Sequence, residues 1–576
     1  MTKIWKLRSP SPDASHLAHQ TGITPLEAQL LINRGITDAS SARSFLTPRL
    51  SSLTDPMLLK DMDMGVEMIV SAIENQEKIL IYGDYDADGI TATALLVNFF
   101  SSLGVQVPYY IPHRLKEGYS LNRKAVDKMA RHGVGLIVTV DCGTTNRKEI
   151  DLARERGMKI VVTDHHQIPE DFEPVCPLIN PHRPDSSFPF KSLAGVGLAF
   201  FLAIAVRAAL RVKGWFRDKV EPDLKHYLDL VALGTVADMV PLLEQNRILV
   251  KWGIETIKAS RWPGIKAIGE LAAVNGPGVT PYDIAFKFAP RLNAPGRMGS
   301  AKIGVEVLTT EDPDRARDLA GQLNALNSER QSVEQGILEQ IENRVSMEDI
   351  EGRKTLVIYG NGWHRGVLGI VASRLVEKYR RPTLVLDIQD GTAVGSGRSI
   401  EGFNLHGALE RLGYLFERFG GHYHAVGFAL DEANIGALDR ELEDLGQEAL
   451  REDDLIPKIE IDAEVSLADL TLQTLKHMEA LSPHGSGNPE PIFCSHALEV
   501  LDSMVVGERH LKLKVKQEGK VLEAIGFGLS DRHPLQGKTI NMAFTPEINA
   551  WQGYEKIQLK IVDLELGEQG SNLKTD

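Results

Sequence analysis

Three short apolar runs of the chain each end abruptly in residues that can bind a metal ion. Residues 159–163 are Lys-Ile-Val-Val-Thr, and Asp164, His165 and His166 follow them directly. Runs of this length and β-branched content are typical of strands buried on both faces of a parallel sheet. Because open α/β sheets bind their ligands just beyond the carboxyl ends of such strands, we expect these three side chains at a functional edge.

The other two runs also end in acids. Asp84, Asp86 and Asp88 alternate after the second run, Asp141 follows the third, and Asp238 closes a predicted helix within Gly-Thr-Val-Ala-Asp-Met-Val-Pro. Hard oxygen ligands mixed with one or two imidazoles suit Mn²⁺ or Mg²⁺ better than zinc. So many carboxylates would repel one another unless cations lay among them. We therefore predict two ions, a number that suits displacement at a phosphate.

Each piece of this pattern also has a simpler interpretation. Asp-Tyr-Asp-Ala-Asp-Gly by itself fits a turn or a calcium-type loop, Asp-His-His fits a solvated loop, and Asp238 fits a surface acid at a helix end. These alternatives leave it a coincidence that all four pieces end elements of one α/β region. We therefore favour the metal site.

Length and composition set the class of protein. A chain of 576 residues exceeds what one hydrophobic core supports, so we expect three or four domains. The hydrophobic fraction of 43% is ordinary for a soluble protein, and the net charge of −14 argues against a surface that binds nucleic acid everywhere. The three separated cysteines, without a CxxC pair, indicate neither a disulfide framework nor structural zinc and favour a reducing cytosol. The N-terminus lacks the apolar region of a secretory signal, and the apolar stretch 196–210 is too short to span a membrane.

Strand and helix patterns alternate through the first half of the chain, which predicts a doubly wound α/β domain with a parallel sheet. A long amphipathic helix starts near residue 313, and its length of roughly 45 Å suits a strut between domains. A second, smaller α/β domain and a small antiparallel barrel follow. The predicted strands are 78–83, 106–111, 136–140, 159–163, 355–359, 383–386, 392–394, 458–462, 511–515 and 557–561, and the predicted helices are 89–100, 122–131, 146–155, 196–210, 226–237 and 367–379.

The motifs at the strand ends occur in the order found in a known family. Asp84-Tyr-Asp-Ala-Asp-Gly-Ile-Thr91, Asp141-Cys-Gly-Thr-Thr145, Asp164-His-His166 and Gly234-Thr-Val-Ala-Asp-Met-Val-Pro-Leu242 resemble the DHH phosphoesterase superfamily. Later motifs within 113–119, 290–298, 363–370, 395–399, 420–427 and 482–489 resemble its branch of single-strand-specific exonucleases. The resemblance covers nearly the whole chain. It implies a helical segment 1–74, a catalytic domain 75–310, a connecting helix 311–350, a substrate-binding domain 351–456, an OB-fold-like domain 457–567 and a disordered tail 568–576.

The resemblance also implies the ligands of the two ions, Mn²⁺ or Mg²⁺. The implied ligands are Asp86, Asp88, Asp141, His165 and Asp238, with Asp141 as the bridge between the ions.

One departure from the family pattern concerns the first strand end. Many members carry a histidine four residues before Asp86, where this chain has Tyr82. We expect Asp84 to supply the missing ligand. The resemblance further implies that His166 faces the scissile phosphate, so that His166 joins Asp141 and His165 as the predicted catalytic residues.

Substrate contacts are predicted in both α/β domains and in the barrel. We expect Gly-Ser-Gly-Arg-Ser at 395–399 to form a loop that offers backbone amides, hydroxyls and a guanidinium to a phosphate. We expect a second loop, the turn Gly420-Gly421-His422, to permit close backbone approach. Each arginine by itself fits an ion-paired surface role as well. In the barrel, charge combined with stacking suits single-stranded DNA, although Trp551 fits the barrel core equally well. The predicted contacts are His113, Arg114, Tyr119, Arg291, Arg297, Arg365, Arg374, Ser396, Arg398, Ser399, Gly420, Gly421 and His422, with Arg509, Lys512, Lys514, Trp551 and Tyr554 in the barrel.

The function implied by the resemblance is metal-dependent hydrolysis of single-stranded DNA from the 5′ end into mononucleotides, in recombination and DNA repair. The implied setting is a cytoplasmic monomer, with single-stranded-DNA-binding protein and a helicase as partners and no membrane. We expect the strand to thread between the two α/β domains. A phosphodiesterase for very short oligonucleotides or cyclic dinucleotides is the rival within the same fold, and a non-catalytic DNA-binding scaffold is the rival from another class. Chain length argues against the first rival, and the complete set of acids and histidines argues against the second.

Overall fold

The computed structural model describes residues 3–169, 173–274, 278–346, 350–551, 554–567 and 573–575. The chain divides into two compact units. We call residues 47–332 and 483–489 the central unit, and residues 1–46, 333–482 and 490–576 the terminal unit.

A five-stranded sheet, parallel throughout, organises the central unit. Its strands lie in the order Tyr109–Tyr110, Ile79–Gly83, Leu136–Val140, Lys159–Thr163 and Leu178–Ile179. The doubly wound α/β prediction is confirmed. The strand predicted at 106–111 is limited to Tyr109–Tyr110, and Leu178–Ile179 was not predicted.

Both faces of this sheet are buried, in two separate apolar clusters. Ile79 and Ile81 belong to one cluster, whereas Leu80 and Tyr82 belong to the other, because successive side chains of a strand point to opposite faces. Helices cover both faces, so continuous apolar runs are needed here instead of alternating ones. The α-helices of the central unit are Met62–Glu74, Ala87–Ser102, Arg114–Glu117, Arg123–Arg131, Arg147–Glu155, Gly195–Val212, Leu228–Ala237, Glu244–Lys258, Pro263–Leu271, Pro281–Asp283, Ala289–Met298 and Lys302–Thr309, with a π-helical turn at Ile284–Phe288.

In the described part of the chain, one helix, Gly195–Val212, is long and apolar enough by composition to cross a membrane. Of this stretch, 67% is buried inside the protein. Its apolar side chains form part of the larger cluster, in agreement with the core helix predicted at 196–210.

The long helix is confirmed as Pro313–Glu342, 30 residues. The boundary between the two units falls within this helix, between Ser332 and Val333. The described residues of the terminal unit form three sheets. The first is a mixed five-stranded sheet in the order Phe416–His422, Ala425–Asp431, Thr392–Arg398, Thr383–Gln389 and Leu356–Asn361, in which only the last pair is parallel. Its helices are Leu368–Tyr379, Leu405–Arg411 and Ile435–Ala449.

The second sheet of the terminal unit closes into a five-stranded barrel, as predicted, but strands Lys520–Gly526 and Tyr554–Leu566 pair in parallel, so the barrel is not antiparallel throughout. Closure occurs because Thr539–Trp551 pairs with both Tyr554–Leu566 and Phe493–Val506. The remaining barrel strands are His510–Gln517 and Lys520–Gly526, and Ala463–Glu464 pairs with the start of Phe493–Val506.

The third sheet of the terminal unit joins distant parts of the chain. Ile4–Leu7 lies between Lys458–Ile461 and Leu573–Thr575, and all three strands are parallel. The N-terminal segment is therefore not purely helical, although helices Ala14–Thr21, Pro25–Ile32 and Ala39–Leu46 follow the strand. Of the tail predicted to be disordered, residues 573–575 form a strand, and residues 568–572 and 576 lie outside the described residues.

Candidate metal centre

The first group of acids lies where strand Ile79–Gly83 passes into helix Ala87–Ser102. Asp86 is the N-cap of this helix, and its Oδ1 accepts hydrogen bonds from the backbone N–H groups of Asp88 (3.0 Å) and Gly89 (3.1 Å). A Cβ at position 89 would lie 2.7 Å from the Cβ and backbone N of Asp84. Glycine at this position therefore lets the loop fold back tightly, so that Asp84 and Asp86 share one triad of candidate ligands with Asp141.

Asp88 is tied to a second helix. Its two carboxylate oxygens accept hydrogen bonds from the backbone N–H groups of Gly195 (2.6 Å) and Val196 (2.8 Å), in the first turn of helix Gly195–Val212. These N–H groups have no partner within the helix, and the positive end of the helix dipole favours a carboxylate there. Position and orientation of Asp88 are thus set by a helix that begins more than 100 residues later.

Asp141 follows strand Leu136–Val140 in a left-handed backbone conformation, with φ 61°. Its N–H donates to the carbonyl of Thr163 on the neighbouring strand (3.0 Å). A Cβ at Gly195 would lie 2.8 Å from Asp141 Oδ1, so glycine is needed where this helix passes the Asp141 carboxylate. Gly195 therefore packs against one candidate ligand and holds another.

His165 brings the acids together. Its Nε2 lies 3.1 Å from Asp141 Oδ1, 3.6 Å from Asp238 Oδ2 and 3.8 Å from Asp88 Oδ2. Asp238 comes directly after helix Leu228–Ala237. The side chains form three triads whose donor atoms lie within 4.8 Å of one another. The triads are Asp88–His165–Asp238, Asp141–His165–His166 and Asp84–Asp86–Asp141.

The donor atoms are buried and are not satisfied by hydrogen bonds. Among the described residues, Asp84 Oδ1, Asp141 Oδ1, His165 Nε2 and Asp238 Oδ2 have no hydrogen-bond partner. Buried polar atoms are normally hydrogen-bonded, and buried charges are paired or coordinate metals. Three carboxylate oxygens and one imidazole nitrogen without such partners fit hard divalent cations of the Mn²⁺ or Mg²⁺ class.

The acids resist ionisation when no cation is present. Burial, followed by the charge of Asp86, raises the pKa of Asp88 to about 7. Burial, followed by the charges of Asp88 and Asp86, raises the pKa of Asp238 to about 9. The pKa values of Asp84 and Asp141 lie well above the ordinary range, again because of burial first and neighbouring acids second. A bound cation would relieve this repulsion.

Asp164 is not among these candidate ligands, because local hydrogen bonds occupy its carboxylate. Its Oδ1 accepts from the backbone N–H of His165 (2.8 Å) and lies 2.7 Å from His166 Nδ1, and its Oδ2 accepts from the N–H of Thr144 (2.9 Å). Burial would raise the pKa of Asp164, but the hydrogen bonds and charge of His166 and the bond from Thr144 outweigh burial and lower it. Asp164 is thus an ionised acid that orients a histidine.

His166 lies at the open side of the centre. Burial would lower its pKa, but the hydrogen bond and charge of Asp164 outweigh burial and raise the pKa to about 9. The Tyr119 hydroxyl lies 3.2 Å from His166 Nδ1 and donates to the Asp141 carbonyl (3.3 Å). By contrast, burial followed by the charge of His166 lowers the pKa of His165 to about 4. The two adjacent histidines therefore differ, with His165 neutral and His166 cationic at neutral pH.

The loop that carries the first acids is supported from another motif. Asn293 Oδ1 accepts a hydrogen bond from the N–H of Ala87 (2.8 Å), and a Cβ at Gly296 would lie 2.4 Å from the carbonyl oxygen of Tyr85. The guanidinium of Arg114 lies 5.1 Å from the ring centroid of Tyr85. Helix Ala289–Met298 thus packs directly on the loop between Asp84 and Asp88.

The other predicted contacts in the central unit lie next to this loop or further along the same helix. His113 is the N-cap of helix Arg114–Glu117, and among the described residues its Nδ1 is buried without a partner. Burial and the charge of Asp84 raise the pKa of the Tyr85 hydroxyl, and the charges of Arg114 and Arg297 oppose this rise. Arg291 instead bonds to Asn324 Oδ1 (3.0 Å) and to the carbonyl of Lys287 (2.7 Å).

In the terminal unit, two predicted loops prove to be strands. Ser396 and Arg398 lie on strand Thr392–Arg398, and Gly420, Gly421 and His422 end strand Phe416–His422, so our placement of both on loops was wrong. The glycines serve packing as well. A Cβ at Gly395 would lie 2.3 Å from the Phe428 ring, and one at Gly397 2.4 Å from Leu384.

Side chains on strand Thr392–Arg398 converge with the start of helix Leu368–Tyr379. Arg398 Nη1 donates to the Gly397 carbonyl (2.8 Å), and a Cβ at Gly369 would lie 2.9 Å from Arg398 Nη2 and 3.1 Å from Ser396 Oγ. Ser399 Oγ donates to the Phe403 carbonyl (2.7 Å).

Two arginines predicted to contact substrate make ion pairs. Arg365 Nε lies 2.9 Å from the buried Asp387, and Arg374 Nε lies 3.3 Å from Glu334. This is the structural alternative that the sequence left open for them.

The predicted barrel contacts whose side chains are described lie on its outer side. Arg509, Lys514 and Tyr554 are exposed, Tyr554 at 75%. Lys512 lies 3.0 Å from Glu523 on the neighbouring strand. Trp551 ends strand Thr539–Trp551, and its side chain lies outside the described residues.

Sequence reasoning missed the residues that orient the ligands. Asp88 is held by the backbone N–H groups of Gly195 and Val196. The N–H of Ala87 is bound by the side-chain amide of Asn293, and Asp164 is held by the N–H of Thr144. Only Asn293, Gly296 and Thr144 lay within motifs that we quoted. For Gly195 and Val196 the one signal in the sequence was the glycine at the start of an apolar helix.

Family models match three stretches of the chain. They are described as DHH family, N-terminal domain, at residues 78–235, DHHA1 domain at residues 352–448, and RecJ OB domain at residues 461–563. The first match contains all the candidate ligands except Asp238.

Curated relatives extend the similarity to nearly full length. The single-stranded-DNA-specific exonuclease RecJ of Bacillus subtilis (strain 168) is 36% identical over 571 residues, covering 98% of this chain and 71% of that protein. The exonuclease of the same name from Escherichia coli (strain K12) is 38% identical over 558 residues, covering 94% of this chain and 95% of that protein.

Solved structures agree with the sequence comparisons. The crystal structure of RecJ in complex with Mn²⁺ from Thermus thermophilus matches with a TM-score of 0.84 at 30% identity, covering 98% of this chain and 80% of that chain. The structure of the same protein with Mg²⁺ matches with a TM-score of 0.78 at 29% identity, covering 99% and 79%.

Proposed function

This chain belongs to the RecJ family, and on that premise we propose that it is a metal-dependent exonuclease that degrades single-stranded DNA from the 5′ end into mononucleotides, in recombination and DNA repair. One observation carries the proposal. Four buried donor atoms, on Asp84, Asp141, His165 and Asp238, converge without hydrogen-bond partners among the described residues. Donors of this kind suit the Mn²⁺ and Mg²⁺ ions with which the Thermus thermophilus relative was solved.

The triads divide the ligands between two cations. Asp88, His165 and Asp238 would hold one, and Asp84, Asp86 and Asp141 the other. Asp141 also lies 3.1 Å from His165 Nε2, which suits it to bridge the two. Two divalent cations would supply Lewis-acid activation of water and neutralise charge on the reacting phosphate. The protein's part is to keep five carboxylates and a neutral imidazole in one buried place.

His166 provides the cationic group at the open side. The short contact with Asp164 fixes its ring orientation and keeps its proton at neutral pH, since the pKa is raised to about 9. A positioned imidazolium would neutralise developing charge on the scissile phosphate. Asp164 and Tyr119 act through His166 and are positioning residues.

The terminal unit supplies a second candidate for phosphate contact. Arg398 and Ser396 lie against Gly369 in the first turn of a 12-residue helix, where the helix dipole and the guanidinium both favour an anion. We assign Arg398, Ser396 and the end of strand Phe416–His422, which lies on the far side of strand Ala425–Asp431, to substrate phosphates. The ion pairs of Arg365 and Arg374 make those two residues structural supports of the same region.

The barrel would bind strands that extend beyond the active site. Arg509 and Lys514 carry exposed charge and Tyr554 an exposed ring, the combination that binds single-stranded DNA without sequence preference. The whole protein would act in the cytoplasm as a monomer, with single-stranded-DNA-binding protein and a helicase as partners. All three cysteines are free thiols, which suits a reducing compartment.

End-labelled substrates test the proposal. A long single strand labelled at the 5′ end, the same strand labelled at the 3′ end and a blunt duplex are each incubated with Mn²⁺, with Mg²⁺ or with a chelator. We expect the 5′ label to appear early as mononucleotide while the 3′-labelled strand shortens progressively. The duplex should resist, because unpairing costs roughly 1.4 kcal/mol per base-pair step, and the chelator should stop all cleavage.

Each contrary outcome identifies a rival. Early release of the 3′ label would reverse the proposed polarity. Cleavage confined to oligonucleotides of a few residues would favour a small-substrate phosphodiesterase, and binding without cleavage in either metal would favour a scaffold.

A further inference from the structure

Asp238 is held differently from the other candidate ligands. Asp88 is fixed by two backbone N–H groups, and Asp84 and Asp86 lie in a tight loop. Asp238 instead comes just after the end of helix Leu228–Ala237, and Met239, which follows it, has a left-handed backbone with φ 61°. A left-handed conformation is unfavourable for such a side chain and persists where surrounding contacts impose it. Contacts from two other segments hold the backbone that follows Asp238.

Asn246 provides the first of them. Its side chain is completely buried, and its Nδ2 donates to the carbonyl of Pro241 (3.0 Å) and to the carbonyl of Ser192 (2.6 Å). Pro241 lies three residues after Asp238, and Ser192 lies three residues before Gly195, which holds Asp88. One amide thus links the backbone segments that carry or hold two ligands of the same triad.

The chemistry of this link is restrictive. Both partners of Nδ2 are carbonyl oxygens, which only accept hydrogen bonds, so a group with two N–H donors is required between them. A carboxylate of the same shape would place negative charge against two acceptors. An alanine would leave both carbonyls without this partner in a buried place.

A turn from a distant part of the chain holds the other side of the same loop. The Leu242 N–H donates to the carbonyl of Ser486 (2.8 Å). Gly487 has φ +70°, and a Cβ there would lie 2.9 Å from Pro241 Cβ. Gly485 and Asn488 exchange backbone hydrogen bonds of 2.9 and 3.1 Å that close the turn. The Pro241–Leu242 backbone is therefore held between Asn246 and the 483–489 turn.

We infer that Asn246 is a positioning residue of the metal centre, which sets the separation of Asp88 and Asp238 by joining the Ser192 and Pro241 carbonyls, with the 483–489 turn as its counterpart. This inference rests on the proposed metal-dependent function. Asn246 does not touch the ions or the substrate in this role. Its effect reaches the centre through backbone whose displacement moves one carboxylate relative to the other.

The test is direct binding of Mn²⁺ by the full-length protein, followed by electron paramagnetic resonance of the free ion. Asn246→Asp should weaken one of two Mn²⁺ sites on the order of 10- to 100-fold, the usual effect of removing a group that orients a ligand. The Mn²⁺ concentration that gives half-maximal nuclease rate should rise to match. The rate at saturating Mn²⁺ should recover most of its wild-type value, because the ligands themselves are intact.

Asn98→Asp is the matched control. Asn98 is also buried in the central unit and donates from Nδ2 to a backbone carbonyl, that of Leu308 (3.0 Å), on helix Lys302–Thr309, which carries none of the candidate ligands. We expect it to lower the melting temperature without changing Mn²⁺ affinity. If Asn246→Asp does not fold, Gly487→Ala approaches the same backbone from the opposite side and should weaken the same Mn²⁺ site.

Three results would overturn the inference. Folded Asn246→Asp with unchanged Mn²⁺ affinity would do so, as would an equal loss of affinity in Asn98→Asp, which would indicate general loosening. If Asn246→Asp does not fold, the third such result would be a Gly487→Ala variant with unchanged Mn²⁺ affinity. A wild-type protein that binds no Mn²⁺ would instead overturn the metal centre itself, so the two failures are distinguishable.

Discussion

Replacement of Asp141 by asparagine is the sharpest perturbation of the proposed centre. Asp141 has a left-handed backbone, with φ 61°, a conformation that asparagine adopts more readily than other residues that have a Cβ. Asparagine therefore preserves the backbone and the side-chain volume and removes only the charge and one oxygen ligand. Alanine would add backbone strain to the loss of the ligand and would confuse the two effects.

The expected loss follows from the position of Asp141. It shares one triad with Asp84 and Asp86, proposed for one cation, and its Oδ1 lies 3.1 Å from Nε2 of His165, a proposed ligand of the other cation, so both cations would lose a ligand at once. Removal of a single electrostatic contact to a transition state typically costs 10²- to 10³-fold in rate. For a ligand shared by two cations we expect at least ~10³-fold, which corresponds to about 4 kcal/mol of activation free energy.

Single-turnover hydrolysis of a short labelled strand at saturating Mn²⁺ measures this loss, and fluorescence polarisation of the same strand measures binding. Binding should remain largely intact, because the substitution leaves the proposed contacts of the terminal unit unchanged. Asp229→Asn is the control. Asp229 is buried in the same unit and accepts from Ser260 Oγ (2.7 Å) and the Leu230 N–H (2.8 Å), and burial raises its pKa to about 6.

Near-normal turnover by Asp141→Asn would refute the bridging role. An equal loss in Asp229→Asn would mean that buried acids matter here for folding and not for the reaction.

Three further predictions concern the phosphate contact, the barrel and the acids. Arg398→Ala should lower kcat/KM on short strands by roughly 10- to 100-fold, the value of a charge-assisted hydrogen bond, with the loss shared between KM and kcat; unchanged kinetics would make this strand purely structural. Lys514→Ala combined with Tyr554→Ala should weaken binding of long strands by about 1–3 kcal/mol from lost stacking, while binding of short strands stays unaffected. The slope of the logarithm of the binding constant against the logarithm of the salt concentration should fall by about 0.7, because one phosphate contact is lost. Equal slopes for mutant and wild type would exclude a DNA-binding barrel. Finally, the folded-state pKa values of about 7 for Asp88 and about 9 for Asp238 exceed the unfolded value of about 3.9. The metal-free fold should therefore lose stability as pH rises from about 4 through 9, and the increase in melting temperature caused by Mn²⁺ should grow over that interval; a shift independent of pH would contradict these pKa values.

Much of the central unit could be predicted because its strands are buried on both faces. Continuous apolar runs of this length that end in acids are uncommon outside parallel sheets, and the strands Ile79–Gly83, Leu136–Val140 and Lys159–Thr163 begin and end within a residue of the predicted bounds. The long helix was predictable for a related reason, since a stripe with a 3.6-residue period over about eight turns is a strong signal. Short elements such as Leu178–Ile179 carry too few residues to show any period.

The glycines of the terminal unit show where local pattern misleads. Gly-Ser-Gly-Arg-Ser indicates a loop because glycine is common in loops, yet residues 395–398 lie on the central strand of a five-stranded sheet. Gly395 and Gly397 leave room for the Phe428 ring and the Leu384 side chain from neighbouring strands. That information resides in residues on other strands, well outside the motif, and no local pattern contains it.

The roles of the acids could not be separated from sequence, because each role depends on donors contributed by other elements. Asp164 has the same spacing to a strand end as Asp84 and Asp141, but the Thr144 N–H and His166 occupy its oxygens. Asp88 differs from its neighbours only because the first turn of helix Gly195–Val212 faces it. Ligand identity is therefore a property of the assembled edge of the sheet.

Tyr82 and Asp84 illustrate the same principle at the one departure from the family pattern. Tyr82 is fully buried in the second apolar cluster, and its hydroxyl donates to the Ser120 carbonyl (2.9 Å), so its side chain serves the core of the sheet and not the metal centre. Asp84 lies just beyond the last residue of the strand, with Oδ1 buried and without a hydrogen-bond partner among the described residues. Without a histidine at position 82 the proposed centre would need another donor, and Asp84, the first residue past the strand end, lies in the same triad as Asp86 and Asp141. Tyrosine at position 82 is thus compatible with the proposed two-cation centre, because the carboxylate two residues later would supply an oxygen ligand of the kind that Mn²⁺ and Mg²⁺ prefer.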